Sequence, residues 1–232
     1  MSVHDWQAIW LSLQVALLAA TLSLPFAIAV AWWLARTEHP LRWLVETVVN
    51  LPLVLPPVVT GFLLLVLFAP LGPIGMLLHR FFGISVVLTW HAAVLAAAIV
   101  SFPLAVRAIQ VAFQQSDRRL EIAARTLGAS RWTSFIRISL PLARTGVLAG
   151  WLLSFARSLG EFGATIMVAG NIAGETRTIP LAIYSHVNSA EGARYAWPLV
   201  IVSILLSCVA LVMGGWIERR ATRRRSANGN AT

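Results

Sequence analysis

The residues able to do chemistry in this chain fall in three places. The densest is Glu121–Pro141, EIAARTLGASRWTSFIRISLP, where Arg125, Arg131 and Arg137 interleave with Ile122, Leu127, Trp132 and Phe135 between two oily flanks. That mixture makes a docking surface for a soluble partner rather than a reaction centre. The second is Arg157 with Glu161, one ionisable pair at i and i+4 inside an apolar run, close enough on one helix face to pair. The third is Glu175-Thr176-Arg177-Thr178, a short polar stretch ahead of an amphipathic segment at 179–187.

Catalytic chemistry finds little support. Cys208 stands alone in an apolar run, so no intrachain disulfide and no Cys/His metal spacing can be written. Every cationic side chain apart from His is Arg. Without a Lys, the chain cannot form the Gly-x-x-x-x-Gly-Lys-Ser/Thr loop that cradles nucleotide phosphates. His91 has no evident partner and reads as a bundle residue. No metal site and no cofactor are expected in this chain, and any ATP must be hydrolysed by another one.

These groups must be held by membrane-spanning helices. The chain has 232 residues, 58% of them hydrophobic and 12% charged, against about 25% charged in an average soluble domain. A span needs about 20 apolar residues. Five stretches qualify, at roughly 10–34, 48–68, 84–106, 147–169 and 195–217. Residues 74–82, after the Pro70–Gly75 break, are too short to span and should form a loop or half-inserted segment. The fold expected is an all-α polytopic bundle, one domain over 1–225, followed by a disordered polar tail at 226–232.

Arginine placement sets the orientation. With the end of the first span in the cytoplasm, Arg36, Arg42, all arginines from Arg107 to Arg144 and the tail from Arg219 to Arg225 lie inside. Only Arg80, Arg177 and Arg194 lie outside, so the N-terminus is expected out and the C-terminus in. The net charge of +9 is therefore a matter of topology and lipid contact, not of nucleic acid. Tryptophans at 6, 10 and 197 should mark the outer interface, and those at 32, 33, 43, 151 and 216 the inner one. Pro52, Pro56 and Pro57 should bend the second span, as a structural kink or as a hinge lining a pore.

Within the cytoplasmic stretch, Ser116 or Asp117 can cap a helix starting near Arg118, Gly128 can end it, and Ser130 can cap a second one. A short helix, a tight turn and a second helix follow. On charge alone this could be a loop that only fixes topology. The spacing of Ala123-Ala124, Gly128, Ile138 and Leu140-Pro141, however, resembles the cytoplasmic loop of binding-protein-dependent ABC importer permeases. There the short helix docks on an ATPase subunit. The acid departs from that pattern, since Glu121 stands one place early with Ile122 between it and the alanines. The resemblance implies that Glu121, Ala123, Ala124, Arg125, Gly128 and Ala129 couple the chain to an ATPase.

The stretch from Arg157 to Tyr184, the segment Leu53–Gly61 and the form ARTLGAS at Ala124–Ser130 resemble permeases of molybdate or tungstate ABC importers, with sulfate/thiosulfate permeases as near relatives. The resemblance covers most of the chain from Leu51 onward. It implies a homodimer with the pathway on its two-fold axis, two ATP-binding subunits, an external oxyanion-binding protein and a bacterial inner membrane. Candidate pathway and gate residues are Arg157, Glu161, Thr165, Thr176, Arg177 and Thr178. Arg157 and Glu161 remain readable as a packing ion pair or as a cation offered to an anion, and the segment 170–194 as a surface loop or a gate. A ridge of Ala156, Gly160 and Ala164 should let another helix approach. The competing class, a single-chain secondary anion transporter, leaves the spaced cytoplasmic motif unexplained.

Overall fold

The computed structural model describes residues 2–189 and 192–229, the side chains of residues 193 and 217–229 excepted. Its regular structure is all helical, with no strand among the described residues. Helix α1 spans Val3–Arg36, α2 Arg42–Val54, α3 Pro57–Phe68, α4 Pro73–Phe82 and α5 Trp90–Gln114. After these come α6 at Arg118–Thr126, α7 at Arg131–Ser134, α8 at Leu140–Leu159, α9 at Gly163–Val168, α10 at Ile179–Val187 and α11 at Trp197–Gly229.

Among the described residues, four helical stretches are long and apolar enough to cross a membrane: α1, α5, 131–159 and 197–216. The pair α2 and α3 could supply a fifth only as a broken span, because its halves meet at 110°. The second span expected at 48–68, with a bend at its prolines, is thus a pair of helices broken at Leu55-Pro56. Leu55 and Pro56 are both extended, with ψ of 139° and 134°. Proline forces its predecessor out of the helical region, and Pro57 then opens α3 at a position where no N–H is needed.

The fourth span is also not one helix. It ends at Leu159, and Gly160-Glu161-Phe162 separate α8 from the six-residue α9. The expected ridge of Ala156, Gly160 and Ala164 is thereby dissolved, since Gly160 lies in the break. The third span begins at Trp90 rather than Ile84; Leu88 takes φ 62°, and its N–H bonds to the Val168 carbonyl at 2.9 Å instead of starting a helix. Residues 73–82 form α4, stopped by Gly83 at φ 65°. The backbone of α11 runs to Gly229, into the tail expected to be disordered, and residues 230–232 lie outside the described ones.

The core is α5 laid between α1 and α8. In lipid, helices gain little from burying apolar surface, so contact depends on close packing of small residues. The buried face of α1 carries Ala8, Ser12, Ala16, Ala19, Ala20, Ser23, Ala27 and Ala31. Helix α5 answers with Ala92, Ala93, Ala96, Ala97 and Ala105. Gly150 in α8 permits the approach to α5, since a Cβ there would stand 2.9 Å from Ile109 Cγ1. Hydroxyls add polar links: Ser101 to Ser154 at 2.8 Å, and Ser158 to the Ala97 carbonyl at 3.5 Å. Trp151 departs from the expected inner belt. Its Nε1 donates to Thr21 Oγ1 at 3.1 Å, near the middle of α1.

Candidate functional site

The arginine-rich stretch is built as a rigid corner. Asp117 caps α6 by accepting from Arg119 N at 2.8 Å, while Ser116 instead donates to the Phe113 carbonyl. Gly128 ends the helix at φ 90°. Its N–H bonds to the Arg125 carbonyl at 3.1 Å, and that of Ala129 to the Ala124 carbonyl at 3.0 Å. These two bonds define the left-handed helix stop that glycine favours. Ser130 then caps α7, accepting from Thr133 N at 3.1 Å. A π-helical turn at Phe135–Ser139 joins α7 to α8. Pro141, in the first turn of α8, has no N–H for the Arg137 carbonyl, which favours the slipped ladder at this join.

Two anchors fix this corner to the bundle. Phe135 is buried between Trp32 and Trp132, with ring centroids 4.9 and 5.6 Å away. Arg36, the last residue of α1, holds Glu121 through Nε at 3.0 Å and through an amino nitrogen at 2.5 Å, and also holds Ser116 Oγ at 2.7 Å. On sequence grounds Arg36 is only a topology marker. The signal that could have found it is a lone acid in a stretch of arginines. With Glu121 turned towards the bundle, Ile122, Ala123, Arg125, Leu127 and Trp132 are left exposed, Leu127 being 89% exposed. Ala124 and Ala129 are half-buried at the helix stop.

Farther along the chain, Arg157 and Glu161 do pair, but across the break rather than within one helix. Arg157 reaches Glu161 Oε2 at 2.9 Å. Glu161 Oε1 accepts from Ala164 N at 2.8 Å, so the carboxylate also caps α9. Glu161 is buried, whereas the Arg157 side chain keeps 30% exposure. Helix α9 lies on α3, and glycine makes the contact: a Cβ on Gly61 would stand 2.7 Å from Ala164 Cα, and one on Gly163 2.9 Å from Pro57 Cβ. The two broken segments thus meet each other. Irregular backbone at membrane depth survives where protein or a water-filled cavity covers it.

Thr165, Thr176 and Thr178 are all buried within the single chain. Thr176 Oγ1 accepts from Ile172 N at 3.0 Å, tightening a turn. Arg177 binds Asn171 Oδ1 at 2.8 Å, and Asn171 in turn donates to Ser185 in α10. This segment is fastened to the start of α1 by Ile179 N to Ser12 Oγ at 2.7 Å and by His186 to Asp5 at 2.8 Å. The polar segment at 171–186 and the arginine corner therefore sit at opposite ends of α1. Sequence reasoning also missed the link between α2 and α5, where Arg107 donates to Asn50 at 2.7 Å and Gln110 to Glu46 at 3.4 Å.

Residues 12–223 match the family model described as the binding-protein-dependent transport system inner membrane component. The chain is 51% identical over 220 residues to the molybdenum transport system permease protein ModB of Escherichia coli K12, covering 95% of this chain and 96% of that one. The protein of the same name in Haemophilus influenzae is 50% identical over 94% of this chain and 95% of its own. The sulfate transport system permease protein CysT of Escherichia coli K12 is 38% identical over 81% of this chain and 66% of its own. Among solved structures, a bacterial ABC transporter involved in the import of the acidic polysaccharide alginate matches with a TM-score of 0.69 at 20% identity, over 96% of this chain and 80% of that one.

Proposed function

We propose, for a chain that belongs to the binding-protein-dependent transport system inner membrane component family, that it forms the translocation pathway of an ATP-driven importer of molybdate. The observation that carries this reading is identity of 51% along almost the whole length of both this chain and a molybdenum permease. A sulfate permease is more distant, at 38%. A single-chain secondary transporter is disfavoured by the same match.

The assembly we infer is a homodimer in the bacterial inner membrane, N-terminus outside, with the pathway on the two-fold axis. Two ATP-binding subunits would seat the outward face of α6, where Ala123 and Leu127 stand clear, with Arg125 at its edge. Glu121 would serve from beneath, holding α6 to α1 while Gly128 and Ala129 set the corner. Closure of the ATPases would then move α6 and, through Arg36, the end of α1. An external binding protein would deliver the anion to the face carrying 171–186. Arg157 is the cation best placed to meet an anion in the pathway, being held by Glu161 yet partly exposed. Thr165, Thr176, Arg177 and Thr178 would act by shaping the gate around it.

Reconstitution in liposomes tests the reading. Molybdate uptake should require the ATP-binding subunit, the binding protein and ATP together, and excess sulfate should compete weakly. Uptake by this chain alone without ATP would overturn it.

A further inference from the structure

Beneath the arginine corner, between the end of α1 and helices α6 and α7, lies a cavity of about 250 Å³. Its lining is mostly hydrogen-bond donors, with one acid, Glu121, and one aliphatic side chain, Ile122. Arg36 and Glu121 line it and satisfy each other. Arg125 and Arg131 also line it, and neither side chain has an ion-pair or hydrogen-bond partner among the described residues. Arg118 has only a 3.5 Å contact with the largely exposed Glu38. The cavity is thus strongly positive once the Arg36–Glu121 pair is set aside.

Two further lining residues carry unpartnered donors. Ser134 and Trp32 belong to the lining, and both Ser134 Oγ and Trp32 Nε1 are shut off from solvent with no partner. Ser134 is 4% exposed. A buried donor without an acceptor costs about 1–3 kcal/mol, so an acceptor brought to it is stabilising. Guanidinium groups present planar pairs of N–H that match the oxygens of a tetrahedral oxyanion. The volume exceeds what a single water needs and falls below the roughly 300–1,000 Å³ of drug-sized pockets.

We propose that this cavity binds a tetrahedral oxyanion of the phosphate, sulfate or molybdate type, held by Arg125, Arg131 and Arg118 with Ser134 at its base. The oxyanion can come free from solution or as the phosphate of an acidic lipid, since Trp32 and Arg36 sit at the end of a spanning helix. A carboxylate from a docked protein is the weaker occupant. The exposed apolar residues of the corner, Leu127 and Trp132, stand on its outer surface, whereas the cavity lies on the side of α1. An anion here would brace α6 and α7 against α1, across the joint that the Arg36–Glu121 pair already spans.

The test is binding by the full chain. In detergent at constant ionic strength, calorimetry with phosphate, sulfate and molybdate should give saturable binding of one anion per chain, with chloride inactive. Arg131→Gln and Ser134→Ala should each weaken it roughly tenfold or more, and Arg80→Gln on α4 should not. Arg118→Gln serves if Arg131→Gln fails to fold by gel filtration. In nanodiscs, loss of free-anion binding with phosphatidylglycerol but not with phosphatidylcholine would assign the site to the lipid phosphate, which also supports the proposal. Absence of saturable binding in both media overturns it, as does binding indifferent to Arg131 and Ser134. Loss of ATPase co-purification in Arg131→Gln without any oxyanion binding overturns it in favour of a partner's carboxylate. No transport is measured, so failure here leaves the importer reading standing.

Discussion

Arg36 and Glu121, 85 positions apart in sequence, form an ion pair that ties the last residue of α1 to the first turn of α6, with both side chains 14% exposed. The pair is partly shielded and is reinforced by Ser116. It makes Glu121 a strut, because the carboxylate faces the bundle while the alanine and leucine surface of α6 stays exposed.

Removing one partner should loosen that strut. Arg36→Gln or Glu121→Gln is expected to cost about 1–2 kcal/mol, discounted for the remaining exposure of the pair. In the reconstituted importer the variants should hydrolyse ATP with little uptake, since α6 would move without pulling α1. The double variant Arg36→Glu/Glu121→Arg should recover part of the uptake. If uptake per ATP is unchanged in both single variants, the strut has no role in coupling.

Gly128 is required for its backbone, not for space. A Cβ there would meet no described atom within 4 Å, yet φ is 90°. Left-handed backbone costs an ordinary residue about 1–2 kcal/mol. Gly128→Asn should therefore be mild, while Gly128→Val should spoil the corner and lose the ATPase in co-purification, with membrane insertion intact. Equal retention of the ATPase by both variants would remove the conformational argument.

The corner is legible in the sequence because caps and stops are local: Asp117, Gly128 and Ser130 each act on backbone within a few residues. The spans are legible from length and apolarity alone. The breaks are less so. Leu55-Pro56-Pro57 announces a bend, though not one of 110°. Gly160-Glu161-Phe162 carries no proline, and its break rests on Glu161 capping α9 and on Gly61 and Gly163 admitting α3, contacts made between distant segments. The Arg36 partner of Glu121 is hidden for the same reason. Trp151 misleads because a tryptophan near an apolar boundary looks interfacial until a hydroxyl such as that of Thr21 claims its N–H.

Gly61 and Gly160 should part company. Gly61→Ala places a methyl 2.7 Å from the Ala164 backbone, which must push α3 off α9. Uptake should fall severely, and the chain should unfold at lower temperature. Gly160 has φ −95° and open space where a Cβ would stand, so Gly160→Ala should be near neutral in both measurements. A large loss at Gly160 would restore the helix-packing ridge that the break dissolves.

The last expectation concerns Arg157 and Glu161, where packing and transport make different demands. Glu161 is buried and caps α9, so Glu161→Gln keeps an acceptor for Ala164 N but strips Arg157 of its counter-charge. Arg157→Gln leaves the Glu161 carboxylate buried without its cation, at a cost of a few kcal/mol. The double variant Arg157→Gln/Glu161→Gln removes both charges together and should restore much of the thermal stability that either single change loses. Uptake separates the two readings. If the pair only packs, the double variant should transport nearly as well as the parent. If Arg157 meets the anion, the double variant should stay folded, keep binding-protein-stimulated ATP hydrolysis and lose molybdate uptake by tenfold or more, a rise of at least about 1.4 kcal/mol in the transport barrier. The partial exposure of Arg157 beside a buried acid favours the second outcome, because a pair built only for packing gains nothing from leaving its cation uncovered.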